Sequence, residues 1–436
     1  MSHPQIVVIA DDITGAAEIA GIASDMRMSA AMLMADGSSR IAIPDNYDVC
    51  VVATDTRSEN AIQAALTAER ICGSVRSRID EGAFANGCLV FKKVDSVLRG
   101  NILAELRAAM LALGQKGCLL LAQNPSKGRV ISGGRYSVDG QPLMDTPFRF
   151  DPEFPANTDR CTELLLVHYR QSLRQYGLRD VEGGTPIPNI SSLPVGAEIS
   201  NRLPISIRGS HNEGIIYVAD ATTEADVERQ LSKRTGDMLV AGGADLFRGV
   251  CKTMGGISAS GSDAESVSSL SSLASLCKDG KLLIVCGSTQ SGSLLSQPLI
   301  RSMGGTECPM PDDVFHGASP EAWISSMLSF WREGRCLIMS VGLHEKRGAD
   351  YARRLRSVMA EACRELTLEC QPAALVIEGG ATAYSALSLM GWRSFIVEGQ
   401  LEPGVVALRL DEGNGKTQPL VVLKPGSYSW GRVFGG

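Results

Sequence analysis

The sequence predicts an α/β protein made of two α/β domains with mainly parallel sheets. Short apolar runs recur along the chain without the alternation of a half-exposed strand, so both faces of each strand are expected to be covered. Amphipathic stretches long enough for helices separate these runs, which is the β-α-β pattern. The length of 436 residues suits two or three domains at roughly 150 residues each.

Ile6 to Ala10 reads as a buried strand, followed by a small-residue helix from Thr14 to Ser24. Val49 to Ala53 is the next strand, with a helix from Asn60 to Ile79 behind it. Cys88 to Phe91 precedes a helix from Asn101 to Leu113, whose Leu and Met stripe marks a core face. Cys118 to Ala122 is again strand-like. The regularity breaks between Asn124 and Pro155, where Gly, Pro, Arg and Asp abound; Arg129 to Gly140 suits a hairpin turning at Val138-Asp139-Gly140. Long irregular insertions in compact domains are typically binding loops. The alternation resumes with Ile215 to Ala219, a helix from Thr223 to Leu231, and Met238 to Ala241.

Ser, Gly and Ala then dominate up to Gly280, a composition that buries little and reads as a linker. A second series follows: strand Leu282 to Cys286, helix Leu294 to Met303, helix Pro320 to Arg332, strand Cys336 to Val341, helix Lys346 to Leu368 and strand Ala374 to Ile377. Val405 to Leu410 and Leu420 to Leu423 close the chain as two strands. The expected layout is a first domain over 1–250, a linker over 251–280 and a second domain over 281–436.

Composition narrows the function. With 44% hydrophobic and 21% charged residues the chain is globular, and a net charge of −6 argues against nucleic acid as its partner. Its 12 cysteines are scattered without Cys-x-x-Cys spacing and its five histidines are dispersed, so neither a disulfide framework nor a zinc site is expected. No apolar stretch approaches the ~20 residues of a membrane helix and no secretory leader opens the chain, so a cytoplasmic protein is expected.

In open parallel sheets ligands bind beyond the carboxyl ends of the strands, so the residues just after each strand are the candidates. Asp11, Asp12, Thr14 and Gly15 follow the first strand. Adjacent carboxylates opening a helix suit general-base work or metal binding, although Asp12 or Thr14 could simply cap the helix. Asp55 and Arg57 follow the second strand; Lys93, Asp95 and Arg99 follow the third. Arg57 and Arg99 could clamp an acidic substrate bidentately, or could form ordinary ion pairs with Asp55 and Asp95. Occurring together at successive strand ends, these sets favour a polyol or acid pocket.

The second domain offers glycines. Gly287 and Ser288 follow one strand, and Gly379, Gly380, Ala381 and Thr382 follow another. Each set opens an expected helix, where backbone amides attract phosphate. Lys424 and Gly426 after the last strand add a cation and a further tight turn, so the three loops together resemble a nucleotide site more than a set of plain βα turns. Gly415-Lys416-Thr417 imitates the end of a P-loop, but Leu410 occupies the place of its first glycine. Neither Gly-x-Gly-x-x-Gly after an early strand nor Gly-x-Ser-x-Gly is present.

Asp11-Asp12-Ile13-Thr14-Gly15-Ala16, Thr54-Asp55-Thr56-Arg57-Ser58 and the stretch from Lys92 to Gly100 resemble the motifs of the four-carbon acid sugar kinases. Asn124-Pro125 to Gly128-Arg129, Gly287-Ser288, Gly379 to Thr382 and Lys424-Pro425-Gly426 are similar to that family's later blocks, in order. The resemblance implies phosphorylation of threonate, erythronate or 3-oxo-tetronate by ATP, with D-threonate the first candidate. It implies an acid-sugar domain, a nucleotide domain and an active site in the cleft between them. Asp11, Thr14, Asp55, Arg57, Lys93, Asp95 and Arg99 would bind the sugar acid. Asp12 would serve as base, and Asp11 or Asp95 would hold Mg²⁺ or a substrate hydroxyl. Gly287, Ser288, Gly379 to Thr382, Lys424 and Gly426 would hold ATP. The closing motif departs from the family pattern at Ser427-Tyr428-Ser429, as does the segment from Thr146 to Pro155. A sugar-acid lyase or aldolase, or a metabolite-binding protein without turnover, are the rival readings, and a monomer and a homodimer are equally compatible with the composition.

Overall fold

A computed structural model describes residues 5–35, 41–151, 153–175, 201–205, 214–255, 273, 280–287, 294–342, 349–411, 418–426, 430 and 434. The chain divides into two compact units, one of Met1–Met28 with Gly37–Ser258 and the other of Ser29–Asp36 with Ala259–Gly436.

In chain order the N-terminal half runs β1 (Gln5–Ala10), α1 (Ile13–Asp25), β2 (Ala30–Met34), β3 (Val49–Ala53), α2 (Ala61–Asp80), β4 (Cys88–Lys93), α3 (Ile102–Leu113) and β5 (Gly117–Leu121). It continues with β6 (Arg129–Ser132), β7 (Arg135–Val138), β8 (Gln141–Pro142), α4 (Cys161–Gln175), β9 (Asn201–Ile205), β10 (Gly214–Val218), α5 (Glu224–Ser232), β11 (Met238–Gly242) and α6 (Ala244–Thr253). The first unit carries the sheet order β3-β1-β4-β11-β5-β10-β9, parallel except for β9. Every residue of β1, β3 and β5 is buried, which accounts for their unbroken apolar sequences.

This topology fixes where the first unit binds. From β1 the chain steps to β3 on one side and then to β4 on the other, so the loops leaving these three strands open around one crevice. Over that region lies a small antiparallel sheet, β6-β7-β8, rather than the expected two-stranded hairpin. Gly133 and Gly134 turn β6 into β7, and Asp139 and Gly140, both at positive φ, turn β7 into β8. Tyr136 of β7 is fully buried and its hydroxyl donates to the Ser96 carbonyl, which ties the small sheet to the loop after β4.

The C-terminal half runs β12 (Leu282–Cys286), α7 (Pro298–Ser302), β13 (Thr306–Pro309), α8 (Asp312–His316), α9 (Glu321–Glu333), β14 (Cys336–Ser340), α10 (Ala349–Cys370), β15 (Ala374–Glu378), α11 (Gly380–Leu389), β16 (Ser394–Glu402), β17 (Val405–Leu410) and β18 (Leu420–Lys424). Its sheet order is β13-β14-β12-β15-β18-β17-β16-β2, parallel up to β18 and antiparallel beyond. Leu282, Ile284, Val376 and Val422 build one face of its core with Trp430 and Phe434.

Two departures concern chain organisation. Residues 29–36, expected in the first domain, belong to the second unit: β2 pairs antiparallel with β16, Met32 facing Phe395. The expected helix over 294–303 is broken by Pro298, which cannot donate in a helix interior; a 3₁₀ turn at Leu294–Ser296 precedes the short α7. Most of the expected linker lies outside the described residues, but α6 reaches Thr253.

Candidate active site

The loop after β1 carries Asp11 and Asp12 into the crevice of the first unit. Asp12 is the N-cap of α1: its Oδ1 accepts from the Gly15 amide at 2.9 Å and Thr14 Oγ1 donates to its Oδ2. Capping does not exhaust it. Arg57, from the loop after β3, donates to both carboxylates: Nε and Nη2 reach Asp11 at 2.8 and 2.9 Å, and Nη1 and Nη2 reach Asp12 at 3.0 and 2.8 Å. Asp95, from the loop after β4, stands 3.7 Å from Arg57 Nη1. Three strand ends therefore meet on one guanidinium. Gly100 makes room for it: its φ of +95° is left-handed, and a Cβ there would meet Arg57 Cγ at 3.2 Å.

Each loop is locally specified. Asp95 Oδ2 accepts from the amides of Val97 and Arg99, an Asx-type turn that carries the chain through Leu98 at φ +65°. Asn101 Nδ2 donates to the carbonyls of Thr56 and Glu59, fastening the β4 loop to the β3 loop. Thr54 Oγ1 donates to the Ala10 carbonyl at 2.9 Å, and Thr56 Oγ1 donates to buried Glu105, which pairs with Lys92 Nζ at 3.2 Å.

The electrostatics follow from burial and the arginines. Burial pushes the Asp11 carboxyl up, but Arg57, with Lys92 and Lys93 behind it, more than reverses this and leaves it below the usual range. Asp95 is likewise raised by burial and pulled well below the usual carboxylate range by Arg99 and Arg57. Burial lowers the Arg57 pKa, and Asp11, Asp12 and Asp95 raise it further than that, so it stays charged. Glu105, by contrast, is pushed up by burial despite Lys92.

The expected sugar-acid residues thus gather, but their charges face inward. Arg57 points at Asp11 and Asp12 rather than pairing with Asp55, which sits at φ +54°. Arg99 spends Nε and Nη2 on Asp95 and Nη1 on Asp151 at 3.1 Å. Lys93 Nζ donates to the Val94 carbonyl and stands 3.7 Å from Glu18. Asp11 does not fit the expected metal role, because both of its oxygens are held by Arg57 and it is only 1% exposed. Among the described residues no group of three or more His, Cys, Asp or Glu is arranged around a metal position.

Sequence reasoning missed Arg129, Phe148 and Asp151 as members of this site. The guanidinium of Arg129 lies 5.7 Å from the Phe148 ring centroid and that of Arg99 lies 5.6 Å from it. Arg129 donates to Ser96 Oγ, and among the described residues no carboxylate pairs with it. The signal was a basic residue within the Gly- and Pro-rich insertion; only folding shows that β6 brings it to the strand ends.

In the second unit the expected phosphate loops come together at β12 and β15. The Gly287 amide donates to the Glu378 carbonyl at 3.0 Å. A Cβ on Gly287 would lie 2.0 Å from Thr382 Oγ1, so only glycine fits there, and Gly379 beside it adopts φ +98°. Helix α11 has no side-chain cap, which leaves the amides of Gly380, Ala381 and Thr382 available to an anion. Ser288 lies outside the described residues. Gly426 ends the loop after β18. Lys424 departs from expectation: it is buried, donates to Glu378 Oε1 at 2.7 Å and stands 4.5 Å from the Trp430 ring centroid. A desolvated ammonium takes the nearest carboxylate, so Lys424 braces β18 against β15.

No described helix is long and apolar enough to cross a membrane. Three relatives place the chain. It is 30% identical over 224 residues to a D-threonate kinase of Salmonella typhimurium, an alignment spanning 51% of this chain and only 47% of that protein. It is 28% identical to a D-threonate kinase of Cupriavidus necator, over 92% of this chain and 89% of the relative. A 3-oxo-tetronate kinase of Methylobacterium radiotolerans is 25% identical over 98% and 97%. A solved structure of a Haemophilus influenzae protein, itself of the family DUF1537, shares the fold with a TM-score of 0.64 over 98% of both chains at 17% identity. The model of the sugar-binding N-terminal domain matches residues 6–250, more than half of the chain. This protein belongs to that sugar-binding family.

Proposed function

We propose that this protein is a kinase that transfers the γ-phosphoryl group of ATP to a hydroxyl of a four-carbon sugar acid, with D-threonate the first candidate. The observation that carries the reading is the convergence of Asp11, Asp12 and Asp95 on Arg57, at the strand ends of a domain whose relatives along the full chain are named as such kinases.

Of the three carboxylates Asp12 is the most accessible, 15% exposed at the side chain against 1% for Asp11 and 7% for Asp95. It is therefore the base: its carboxylate accepts the proton of the attacking hydroxyl, held in orientation by Arg57 and the Gly15 amide. Asp11 positions Arg57. Arg129, which among the described residues forms no ion pair with a carboxylate, takes the carboxylate of the sugar acid, and Arg99 supports it across the Phe148 ring. Asp151 occupies a donor of Arg99 that the substrate carboxylate could claim.

ATP fits the glycine-walled loops of the second unit, where Gly287, Gly379, Gly380, Ala381 and Thr382 would hold its phosphates, and it would supply the phosphoryl group. Mg²⁺ would enter on those phosphates, since the protein's own carboxylates are committed elsewhere.

The test is ADP release from ATP and Mg²⁺ with the two threonates, the two erythronates and 3-oxo-tetronates as acceptors. Acceptor-dependent ADP is expected with one of them. Conversion of an acid without ATP would overturn the reading in favour of a lyase, and nucleotide and acid binding without turnover would overturn it in favour of a sensor. Asp12→Asn is expected to lower kcat by roughly 10²–10⁴-fold while leaving nucleotide affinity unchanged. Near-normal kcat would remove Asp12 from the base role.

A further inference from the structure

The first unit has a second recess at the opposite end of its sheet, beneath the starts of β4 and β11. Two adjoining cavities of about 190 and about 470 Å³ share Arg234 and Gly236, both from the turn between α5 and β11. The smaller one is floored by Leu89, Leu113 and Met238 and edged by Arg76 and Gln115. The larger one continues past Gly249 and Lys252.

Two polar side chains in this recess, Arg234 and Gln115, are unmatched among the described residues. Arg234 is half-buried, and among the described residues its guanidinium has no carboxylate partner and no side-chain hydrogen bond. Burial alone lowers its pKa, the mark of a cation that has lost water without gaining an anion. By comparison Arg76 holds Asp80 at 2.9 Å, and Lys252 holds Glu228 at 2.7 Å. Gln115 Oε1 is buried without a hydrogen-bond donor. An unpaired guanidinium calls for an oxyanion and an unpaired amide oxygen for a hydroxyl, while the apolar floor suits a short carbon skeleton.

We propose that this double cavity is a second ligand site for a small hydroxylated oxyanion, a carboxylate or phosphate whose charge pairs with Arg234 and whose hydroxyl donates to Gln115. The site is separate from the strand-end loops of Asp12 and Arg129, which follow the C-terminal ends of the strands. A ligand held here would bridge α2, α3 and the α5–β11 turn.

Isothermal titration of the full chain with inorganic phosphate and with lactate tests this. One probe is expected to bind with an affinity that falls at least tenfold in Arg234→Gln, since a charge-assisted hydrogen bond is lost. Gly236→Leu adds bulk at the wall the two cavities share: a Cβ there meets nothing within 4 Å and the backbone is not left-handed, so the substitution brings no clash at Cβ and no backbone strain. Arg129→Gln should leave the Arg234-dependent binding event as it is in the wild type. Three results would each overturn the proposal: no heat from either probe up to about 10 mM, unchanged affinity in both Arg234→Gln and Gly236→Leu, or loss of the Arg234-dependent binding event in Arg129→Gln.

Discussion

Replacing Arg57 with methionine strips the cation from three carboxylates at once. Asp11 and Asp95 lie almost wholly out of water, and Arg57 itself is only 19% exposed, so solvent cannot substitute for it. Removing one partner of a buried pair costs about 3–5 kcal/mol. In a unit of this size that corresponds to a fall in Tm of roughly 6–20 °C. The pH dependence carries the sign. In the wild type the Asp11 and Asp95 pKa values are depressed, so their stabilisation is present above the unfolded carboxylate value near 3.9 and is lost only as pH falls below it. Without Arg57 burial dominates at Asp11, its pKa rises above the unfolded value, and the variant regains stability as pH falls through the raised value. The gap between Arg57→Met and wild type should therefore be widest at pH 8 and narrow toward pH 5. Urea or thermal unfolding at several pH values measures it. A gap below about 1 kcal/mol at every pH, or one that does not change with pH, would refute the reasoning. Arg57→Lys, which keeps charge but not the fork, should fall between the two.

Gly287→Ala forces a methyl against Thr382 Oγ1 and should raise the KM for ATP by roughly tenfold to a hundredfold while the KM for the sugar acid stays near wild type; steady-state kinetics with each substrate varied will show it. Lys424→Met should cost about 3–5 kcal/mol of stability by leaving Glu378 without its cation, whereas Lys424→Met with Glu378→Leu should recover most of that loss in denaturant unfolding. Equal loss in the single and double variants would show that the pair does more than neutralise itself.

Most of the parallel strands were legible because a sheet buried on both faces leaves unbroken apolar runs such as Ile6 to Ala10 and Leu282 to Cys286, whereas β2, β9, β13 and β16 were not singled out. Given those strands, the rule that ligands sit beyond their carboxyl ends was enough to single out Asp11, Asp12, Arg57 and Asp95, which the structure brings onto one guanidinium. The direction of each charge was not legible. Whether Lys424 meets a phosphate or Glu378 depends on the pairing of β18 with β15, which no local pattern records. The same holds for Arg129, Phe148 and Asp151, which lie in an insertion without periodicity and acquire their neighbours only when Tyr136 anchors the small sheet. Ala30–Met34 was not singled out as a strand, and the first domain drawn over 1–250 placed it in the wrong unit, since its partner β16 lies far along the chain.

That strand sets a timetable for synthesis. Ala35, at the end of β2, accepts hydrogen bonds from Tyr384 and Arg393, which lie 349 and 358 residues further along the chain. At 5–20 residues per second a ribosome needs roughly 20–70 s to deliver those partners after β2 has emerged. Throughout that interval an apolar strand with every residue destined for burial waits beside a first unit whose remaining strands are arriving. A nascent chain halted after residue 258 would leave that strand without β16, so the partly made chain is the form that most needs a chaperone.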